Sequence, residues 1–332
     1  MAIGGTSSNI AARQRNFALI GAAGYIAPRH MQAIAATGNR LVAALDPSDS
    51  VGIIDSWFPD SAFFTEFERF DRHIDKLHRA EATDRIDYVS ICSPNYLHDS
   101  HIRFALRSGA DAICEKPLVL NPWNIDGLVE AETAAGRKVS TILQLRLHPA
   151  IVALRERVEA AARAGAKHEV DLTYVTSRGR WYLYSWKGEE KKSGGIATNI
   201  GVHFFDMLHF VFGDLQDTRV HLYEPVRAGG FLEYAHARVR WFLSVDASDL
   251  PEATRAGGQR TFRSIIVDGQ EVEFSGGFAD LHTLSYQRIL EGEGLGPETN
   301  RCAIETVAAI RTARPAGPLG DSHPLAARVM RG

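Results

Sequence analysis

Short apolar runs alternate with amphipathic segments over residues 16–145. The apolar runs cover residues 17–20, 41–45, 88–92, 112–114 and 141–143. Runs of this length are typical of strands buried on both faces of a parallel sheet. The segments between them have helical periodicity, including a long one through residues 63–77. The alternation predicts a doubly wound α/β domain at 16–145, preceded by a flexible arm at 1–15.

The pattern changes to alternation of apolar and polar residues beyond residue 146. Residues 170–175 and 237–243 alternate in this way, and residues 263–267 and 271–274 are joined by Asp268-Gly269, a strong hairpin signal. Helical segments are predicted at 149–163, 201–212, 281–290 and 302–313. The second half, 146–332, is therefore predicted to be an α+β domain with a large, mostly antiparallel sheet.

Composition excludes several classes of protein. The chain has 332 residues, 45% of them hydrophobic, and a net charge of −3, so it offers no basic field for nucleic acid or an anionic membrane. No run approaches the about 18 apolar residues of a membrane helix. The apolar run after Arg13 and Arg15 mimics a signal peptide, but glycines interrupt it and no cleavage pattern follows. Three cysteines are too few for a disulfide framework and suit a reducing cytoplasm.

A glycine-bearing turn follows the first predicted strand. Gly21 and Gly24 permit a tight turn and close approach of a pyrophosphate, and the following helix would direct N–H groups at it. Their spacing departs from the usual G-x-G-x-x-G pattern, so a turn that binds nothing is the alternative. Asp46 ends the second strand and suits ribose hydroxyls, which favours NAD over NADP. The predicted cofactor contacts here are Gly21, Ala23, Gly24, Tyr25, Ile26 and Asp46.

Polar residues follow the next strands of the predicted sheet. Ser93, Pro94, Asn95 and His98 follow the run 88–92, and Glu115 and Lys116 follow the run 112–114. Ligands of open parallel sheets lie at these carboxyl ends, so we predict cofactor contacts there and at Gln144. The alternatives are an ordinary turn with a helix-capping Asn and a surface lysine.

A second cluster of polar residues lies in the segment 193–206. Asn199 and His203 are four apart, which places them on one face of a helix, and Asp206 lies one turn beyond. Glycines at 194 and 195 would allow a ligand to approach closely. A metal site of His203, Asp206 and His209 is an alternative, as is a purely structural histidine, and we predict no metal.

These motifs together resemble the Gfo/Idh/MocA family of NAD(P)-dependent sugar oxidoreductases. The resemblance covers nearly all of the chain, from the glycine turn through Lys116 to the helix of His203. It implies an N-terminal Rossmann domain, a substrate-binding and oligomerisation domain at 146–332, and a catalytic group of Lys116, His203 and Asn199. Many family members carry aspartate where this chain has Asn199. An amide stabilises imidazolium less than a carboxylate does, so we expect Lys116 to accept the proton while His203 hydrogen-bonds the reacting oxygen.

Five segments, 17–31, 88–98, 142–146, 197–208 and 237–252, resemble family members that act on nucleotide-linked uronates. That resemblance implies NAD-dependent oxidation of the C3 hydroxyl of UDP-N-acetylglucosaminuronate in surface-polysaccharide biosynthesis. It also implies tightly held NAD that 2-oxoglutarate reoxidises, and an aminotransferase acting next towards 2,3-diamino-2,3-dideoxyuronic acids. A homotetramer formed through the second domain's sheet is a further implication.

A uronate and a pyrophosphate need cationic or backbone donors. The segment 178–187 mixes basic and aromatic residues, and Arg238 and Arg240 share one strand face. An exposed basic loop and a solvated sheet face are the alternatives. The predicted substrate contacts are Lys116, Gln144, Arg146, Arg178, Tyr182, Asn199, His203 and Arg240.

Two other functions stay open at this point. The chain could oxidise another sugar or a cyclitol, which a comparison of turnover on nucleotide sugars and free sugars would reveal. A non-catalytic NAD(H)-binding regulator is also compatible with the scaffold, because fold does not determine activity. The presence of both Lys116 and His203 argues against the regulator.

Overall fold

A computed structural model of the protein describes residues 13–80, 83–162, 167–274, 276 and 280–331. All but residues 13–15 of the predicted N-terminal arm lie outside the described residues. Among the described helices, none combines the length and apolar character that crossing a bilayer requires.

The first half is a six-stranded parallel sheet covered by helices on both faces. Its strands are β1 (Asn16–Ile20), β2 (Arg40–Leu45), β3 (Ala62–Phe64), β4 (Tyr88–Ile91), β5 (Asp111–Cys114) and β6 (Val139–Thr141), in the order β3-β2-β1-β4-β5-β6. Its helices are α1 (Ala27–Ala36), α2 (Phe67–Arg79), α3 (His98–Arg107) and α4 (Pro122–Ala135). The predicted doubly wound sheet is confirmed.

The second half is built on a mixed six-stranded sheet. Its strands are β7 (His168–Thr176), β8 (Leu215–Tyr223), β9 (Arg227–Tyr234), β10 (Ala237–Ser244), β11 (Thr261–Val267) and β12 (Gln270–Glu271). The order is β12-β11-β7-β10-β9-β8, and only the β7–β10 pair is parallel. The predicted hairpin at Asp268-Gly269 joins β11 to β12, with positive φ at both turn residues as such turns require.

Helices cover this sheet unequally. They are α5 (Pro149–Ala162), α6 (Trp181–Tyr184), α7 (Glu190–Ser193), α8 (Val202–Phe212), α9 (Glu252–Ala256), α10 (Leu281–Leu290), α11 (Arg301–Thr312) and α12 (Pro324–Arg331). The inner face, with Trp241 and Leu243, packs against Phe205 and Gly201 of the α8 region. The outer face carries Phe242, on which His323 beside α12 stacks.

Helix α10 belongs spatially to the first sheet, although it lies within the predicted second domain. Its Tyr286 and Ile289 share a core cluster with Phe17 and Met31 of the first sheet layer. The backbone of Thr141 also donates a hydrogen bond to the Leu295 carbonyl. A chain that returns to the first sheet after building the second leaves no local signal in its sequence, so the predicted division at residue 146 groups α10 with the second half.

Two local predictions were wrong. Residues 62–64 form the edge strand β3 instead of a helix start, because they pair with β2. Residues Ala197–Gly201 form a π-helical turn that leads into α8, so the spacing from Asn199 to His203 is not that of a regular α-helix. Such turns recur at functional sites.

Candidate active site

The glycine turn between β1 and α1 is shaped by the neighbouring strand end. Gly21 has a φ of +91°, and a Cβ there would lie 2.6 Å from the carbonyl carbon of Cys92. At Gly24 a Cβ would lie 3.0 Å from the Gly21 carbonyl oxygen. The backbone path therefore requires glycine at position 21, and it leaves the N-terminus of α1 open as a phosphate-binding end would need.

The carboxylate of Asp46 stabilises this turn by accepting hydrogen bonds from two backbone N–H groups. One of its carboxylate oxygens accepts a hydrogen bond of 2.9 Å from the Ala23 backbone N–H, and the other accepts one of 2.8 Å from Ser48. Tyr25 is almost fully exposed beside the turn. The carboxylate retains lone pairs for ribose hydroxyls, so the predicted role of Asp46 in choosing NAD stays a prediction.

In the loop after β4, Asn95 faces the site and Ser93 supports the loop. Asn95 is buried and donates to the Ser193 carbonyl at 2.9 Å and to Asn199 Oδ1 at 3.4 Å, which ties the first domain to the π-helical turn. The Ser93 hydroxyl is bonded to His101.

The structure replaces the predicted cofactor contact of His98 with a structural role. Its ring nitrogens lie 2.7 Å from the Pro117 carbonyl oxygen and 2.9 Å from the Ser93 carbonyl oxygen, and the residue is buried. Both ring nitrogens therefore interact with backbone carbonyl groups, and burial lowers the pKa of His98. His98 therefore joins the two loops that carry Asn95 and Lys116.

The side chain of Glu115 likewise points into the protein interior. One carboxylate oxygen lies 3.0 Å from the Nε2 atoms of both His30 and His282, and the other accepts from the Lys116 backbone N–H at 3.2 Å. Burial raises the pKa of Glu115, but hydrogen bonds from His282 and His30 outweigh it and bring the pKa well below its usual range. The predicted cofactor contact through this side chain is replaced by a buried ionised carboxylate behind Lys116.

Lys116 and His203 face the same region between the two domains. Lys116 is half-buried two residues beyond the carboxyl end of β5, and His203 lies in the first turn of α8. Burial lowers the pKa of His203 well below its usual range, and the charges of Lys116 and then Arg263 lower it further. Its Nδ1 is buried without a hydrogen-bond partner among the described residues. The imidazole is therefore neutral at pH 7 and retains hydrogen-bonding capacity for a ligand.

Asn199 lies in the π-helical turn and bonds a buried tyrosine. Its Nδ2 donates to the Tyr182 hydroxyl at 2.7 Å, while its Oδ1 faces Asn95. Burial raises the pKa of Tyr182, so this phenol stays protonated and can donate onward. The predicted residues Asn199 and Tyr182 are thus brought together, with Asn95 as the third member.

Arg263 is a basic residue of this region that the sequence analysis did not single out. Its guanidinium carbon lies 5.6 Å from the ring centroids of both Tyr174 and Phe274, and its charge helps to lower the pKa of His203. On β11 it shares the inner face with the buried residues Ile265 and Val267. An arginine in phase with buried apolar residues of a strand is the signal that could have found it.

Arg146, a predicted substrate contact, forms an ion pair with Asp206 in the structure. Its Nε and a terminal nitrogen bond both oxygens of Asp206, at 2.9 and 2.7 Å, and the Asp206 carboxylate is buried. A buried carboxylate needs such a partner, so the bidentate pair is structural. Both carboxylate oxygens of Asp206 are thereby occupied, which argues against the alternative in which Asp206 binds a metal ion with His203 and His209.

Arg240 lies on the wrong face of its strand to reach the site. Its neighbour Trp241 packs towards α8, so the side chain of Arg240 points to the opposite, outer face. There it forms two hydrogen bonds of 2.6 Å with Asp171. The predicted substrate contact of Arg240 is replaced by a cross-strand ion pair.

The remaining predicted contacts lie around the site. The Gln144 Oε1 is buried without a partner among the described residues, which leaves it an acceptor for a bound ligand. Arg178 is exposed where β7 ends, and the following segment exposes Trp181 and Tyr184 while Lys187 stacks on Trp186 at 4.1 Å. Ligand contacts of Arg178 and Gln144 stay predictions.

Comparison with known proteins gives the same architecture. Residues 15–143 match the model of an oxidoreductase family's NAD-binding Rossmann fold, and residues 166–254 match that family's C-terminal alpha/beta domain. Two solved structures of the WlbA (WbpB) dehydrogenase from Thermus thermophilus, one with NAD and alpha-ketoglutarate and one with NAD and UDP-GlcNAcA, are 51% identical to this chain. They cover 94% of this chain, which covers 99% of theirs, with TM-scores of 0.89 and 0.88.

Curated relatives are more distant. D-glucoside 3-dehydrogenase of Escherichia coli (strain K12) is 27% identical over 130 residues, 38% of this chain and 36% of that protein. Inositol 2-dehydrogenase of Rhizobium meliloti (strain 1021) is 29% identical over 206 residues, 60% of this chain and 55% of that protein. The matches thus span about a third to a half of the length of these relatives.

Proposed function

Because the chain belongs to the Gfo/Idh/MocA oxidoreductase family, we propose that it oxidises the C3 hydroxyl of UDP-N-acetylglucosaminuronate to a ketone, with NAD as the hydride acceptor. The observation that carries the proposal is that the basic side chains of Lys116 and Arg263 lie close enough to the buried His203 to lower its pKa further, after burial has already lowered it. Similarity at 51% identity to a dehydrogenase solved with NAD and UDP-GlcNAcA supports this choice of substrate.

The residues of the turn after β1 fit a dinucleotide. Gly21 and Gly24 leave space at the turn that a Cβ atom would fill. The carboxylate oxygens of Asp46, beside this space, can accept further hydrogen bonds. Gln144 and Asn95 would support the nicotinamide end from the carboxyl edge of the sheet. When bound, NAD supplies the ring that takes the hydride from C3.

Side chains of this protein accept the proton of the C3 hydroxyl and hydrogen-bond its oxygen. We assign the proton acceptor role to Lys116 in its neutral amine form, which the positive charge of an oxidised nicotinamide nearby would favour. We assign the hydrogen bond to the C3 oxygen to His203, because a histidine with such a low pKa holds a proton weakly. Asn199, Asn95 and Tyr182 would hold the start of α8 in register with the sugar. The C3–H and O–H bonds break, the C3–O bond becomes double, and one proton is released.

The uronate carboxylate is proposed to bind Arg263. This guanidinium lies on the inner face of the sheet, near enough to His203 for its charge to lower the pKa of that histidine. A second carboxylate-bearing ligand, 2-oxoglutarate, suits the same two basic side chains, Lys116 and Arg263. Its reduction to 2-hydroxyglutarate would consume the hydride and one proton and return NAD. The ketone product is a substrate for a following transamination, as surface-polysaccharide biosynthesis would require.

The test is incubation of the purified protein with UDP-N-acetylglucosaminuronate and 2-oxoglutarate. We expect 2-hydroxyglutarate and a 3-keto nucleotide sugar in equal amounts, and little turnover with UDP-N-acetylglucosamine, free sugars or inositol. Preferred turnover of a free sugar or cyclitol would contradict the substrate, and absence of hydride transfer across the whole panel would contradict the dehydrogenase.

A homotetramer in the cytoplasm is the proposed assembly. The outer face of the second sheet carries the cross-strand ion pairs Arg240–Asp171 and Arg238–Glu169, a charged face suited to pairing with a second copy. Light scattering on the eluting protein measures the mass directly, and a monomer would contradict this proposal.

A further inference from the structure

Four separate elements meet at the buried Glu115 carboxylate. His30 lies on α1, directly after the glycine turn, and His282 and Tyr286 lie one helical turn apart on α10. Ser90 lies in β4, next to β5, which ends at the residue before Glu115. All five side chains are buried, and none of them is used by the proposed chemistry.

Hydrogen bonds connect these side chains, and the donor and acceptor of each bond can be assigned. The Tyr286 hydroxyl lies 2.6 Å from the Ser90 hydroxyl and 2.7 Å from His30 Nδ1. An ionised Glu115 only accepts, so both histidines donate through Nε2, and Nδ1 of His30 must accept from Tyr286. Ser90 then donates to Tyr286. Burial lowers the pKa of His30, which agrees with this neutral form.

The network ends at the backbone of the residue that carries the reacting amine. The second Glu115 oxygen accepts from the Lys116 N–H, and both Glu115 and Lys116 act electrostatically on His203. A carboxylate held by two histidines fixes the peptide between residues 115 and 116. This peptide sets the direction in which the Lys116 side chain leaves the sheet.

We propose that Glu115 is a positioning residue for Lys116, and that His30 and His282 hold it, so that α10 helps to set the catalytic geometry of the N-terminal domain. The inference rests on the proposed function for its kinetic readout only. The alternative use of the same three side chains is a metal site, since their ligand atoms lie within 4.8 Å of one another. Two donors at 3.0 Å from one shared oxygen are instead the geometry of hydrogen bonds.

The experiment compares His282→Leu, which removes the donor, with His282→Gln, whose amide N–H replaces Nε2–H. Ile289→Ala is the matched control, because Ile289 is buried on the same helix but lies outside the network. We expect kcat to fall about 10- to 100-fold in His282→Leu and in Glu115→Gln, with KM changed little, because a small misplacement of a reacting group costs that much. His282→Gln should recover most of kcat, and Ile289→Ala should keep it despite lower stability.

A second readout is independent of the substrate. Reductive ¹³C-methylation labels lysine amines while keeping their charge, and Lys116→Arg identifies the Lys116 signal in the NMR spectrum. We expect this signal to move towards those of exposed lysines in His282→Leu and to stay in Ile289→Ala. If the wild type turns over no uronate, the proposed function fails while this signal still tests the positioning.

Three outcomes would overturn the inference. The first is an unchanged Lys116 signal and kcat in His282→Leu, and the second is an equal loss in Ile289→Ala. The third is one equivalent of tightly bound metal that His282→Leu loses, which would make the three side chains a metal site.

Discussion

The side-chain amide of Asn199 donates a 2.7 Å hydrogen bond to the hydroxyl of the buried Tyr182. The family resemblance implies a carboxylate beside the histidine in many members, and this chain has the amide of Asn199 at that position. The charged groups that act on His203 are consequently Lys116 and Arg263, which lower its pKa, and Glu115, which raises it.

Asn199→Asp should raise the pKa of His203, because a new negative charge one turn away favours imidazolium. We expect the acid limb of the kcat/KM profile to shift to higher pH. Tyr182→Phe is the control, since it removes the hydrogen bond without adding charge and should leave that limb in place. An unshifted profile in Asn199→Asp would show that His203 does not set the acid limb.

Lys116→Met should reduce kcat by about 10²- to 10⁴-fold, the usual contribution of a proton-transfer group. Binding of NAD, measured by fluorescence titration, should change little because the glycine turn is intact. Lys191→Met, at an exposed lysine of α7, is the matched control and should remain active. A substantial residual rate in Lys116→Met would remove Lys116 as proton acceptor.

Arg263→Gln should weaken binding of UDP-N-acetylglucosaminuronate about 10- to 100-fold, as expected for the loss of a charge-assisted hydrogen bond. Binding of UDP-N-acetylglucosamine, which lacks the carboxylate, should change little. Calorimetry on both ligands measures the difference. Arg240→Gln on the outer face is the matched control, and equal weakening by both variants would argue against a specific carboxylate contact.

Gly21→Ala should abolish NAD binding and lower the free energy of unfolding, because the new Cβ meets backbone atoms of Cys92 and Ser93 at 2.6 to 2.7 Å. Gly38→Ala is the control. Gly38 also has a positive φ, of +74°, but its Cβ would meet nothing within 4 Å. It should cost only about 1 kcal/mol of backbone strain and leave NAD binding intact. NAD titration and urea unfolding of the two variants separate close packing from strain.

The free energy of unfolding should fall as the pH drops from about 6.5 to about 4, partly through His323. Burial lowers the pKa of His323 from 6.5 to about 4, so the unfolded chain binds a proton in this range that the folded chain does not. The stabilisation from neutral His323 is complete above pH 6.5 and is lost progressively down to pH 4. Its size is on the order of 3 kcal/mol.

His323→Asn tests this assignment. His323 Nδ1 accepts from the Leu325 backbone N–H and Nε2 bonds Thr173, and an asparagine oxygen can keep the first contact without titrating. Urea unfolding between pH 7 and pH 4 should show a shallower fall for the variant. Parallel curves for the two proteins would exclude His323 as the titrating group.

Local sequence patterns predicted the elements of this protein well. The run 17–20 and the alternation at 237–243 are periodic over a few residues, and such periodicity reports directly which faces of a strand are buried. The sequence analysis missed the edge strand β3, because a strand of three residues is too short to show a periodic pattern. Gly21 and Lys116 became candidates because they follow strands of the parallel sheet within two residues.

Only the tertiary structure decided which polar side chains remain available to a ligand. Arg146 and Asp206 are 60 positions apart, and Glu115 and His282 are 167 apart. No periodicity reports such pairs, because they depend on how separate layers pack. The sequence by itself determined the order of strands and helices, the glycine turn and the residues that follow the strands. Packing decided that Arg146, Arg240 and Glu115 serve the scaffold while Arg263 faces His203, since a buried charge must lie beside whatever partner the fold brings to it.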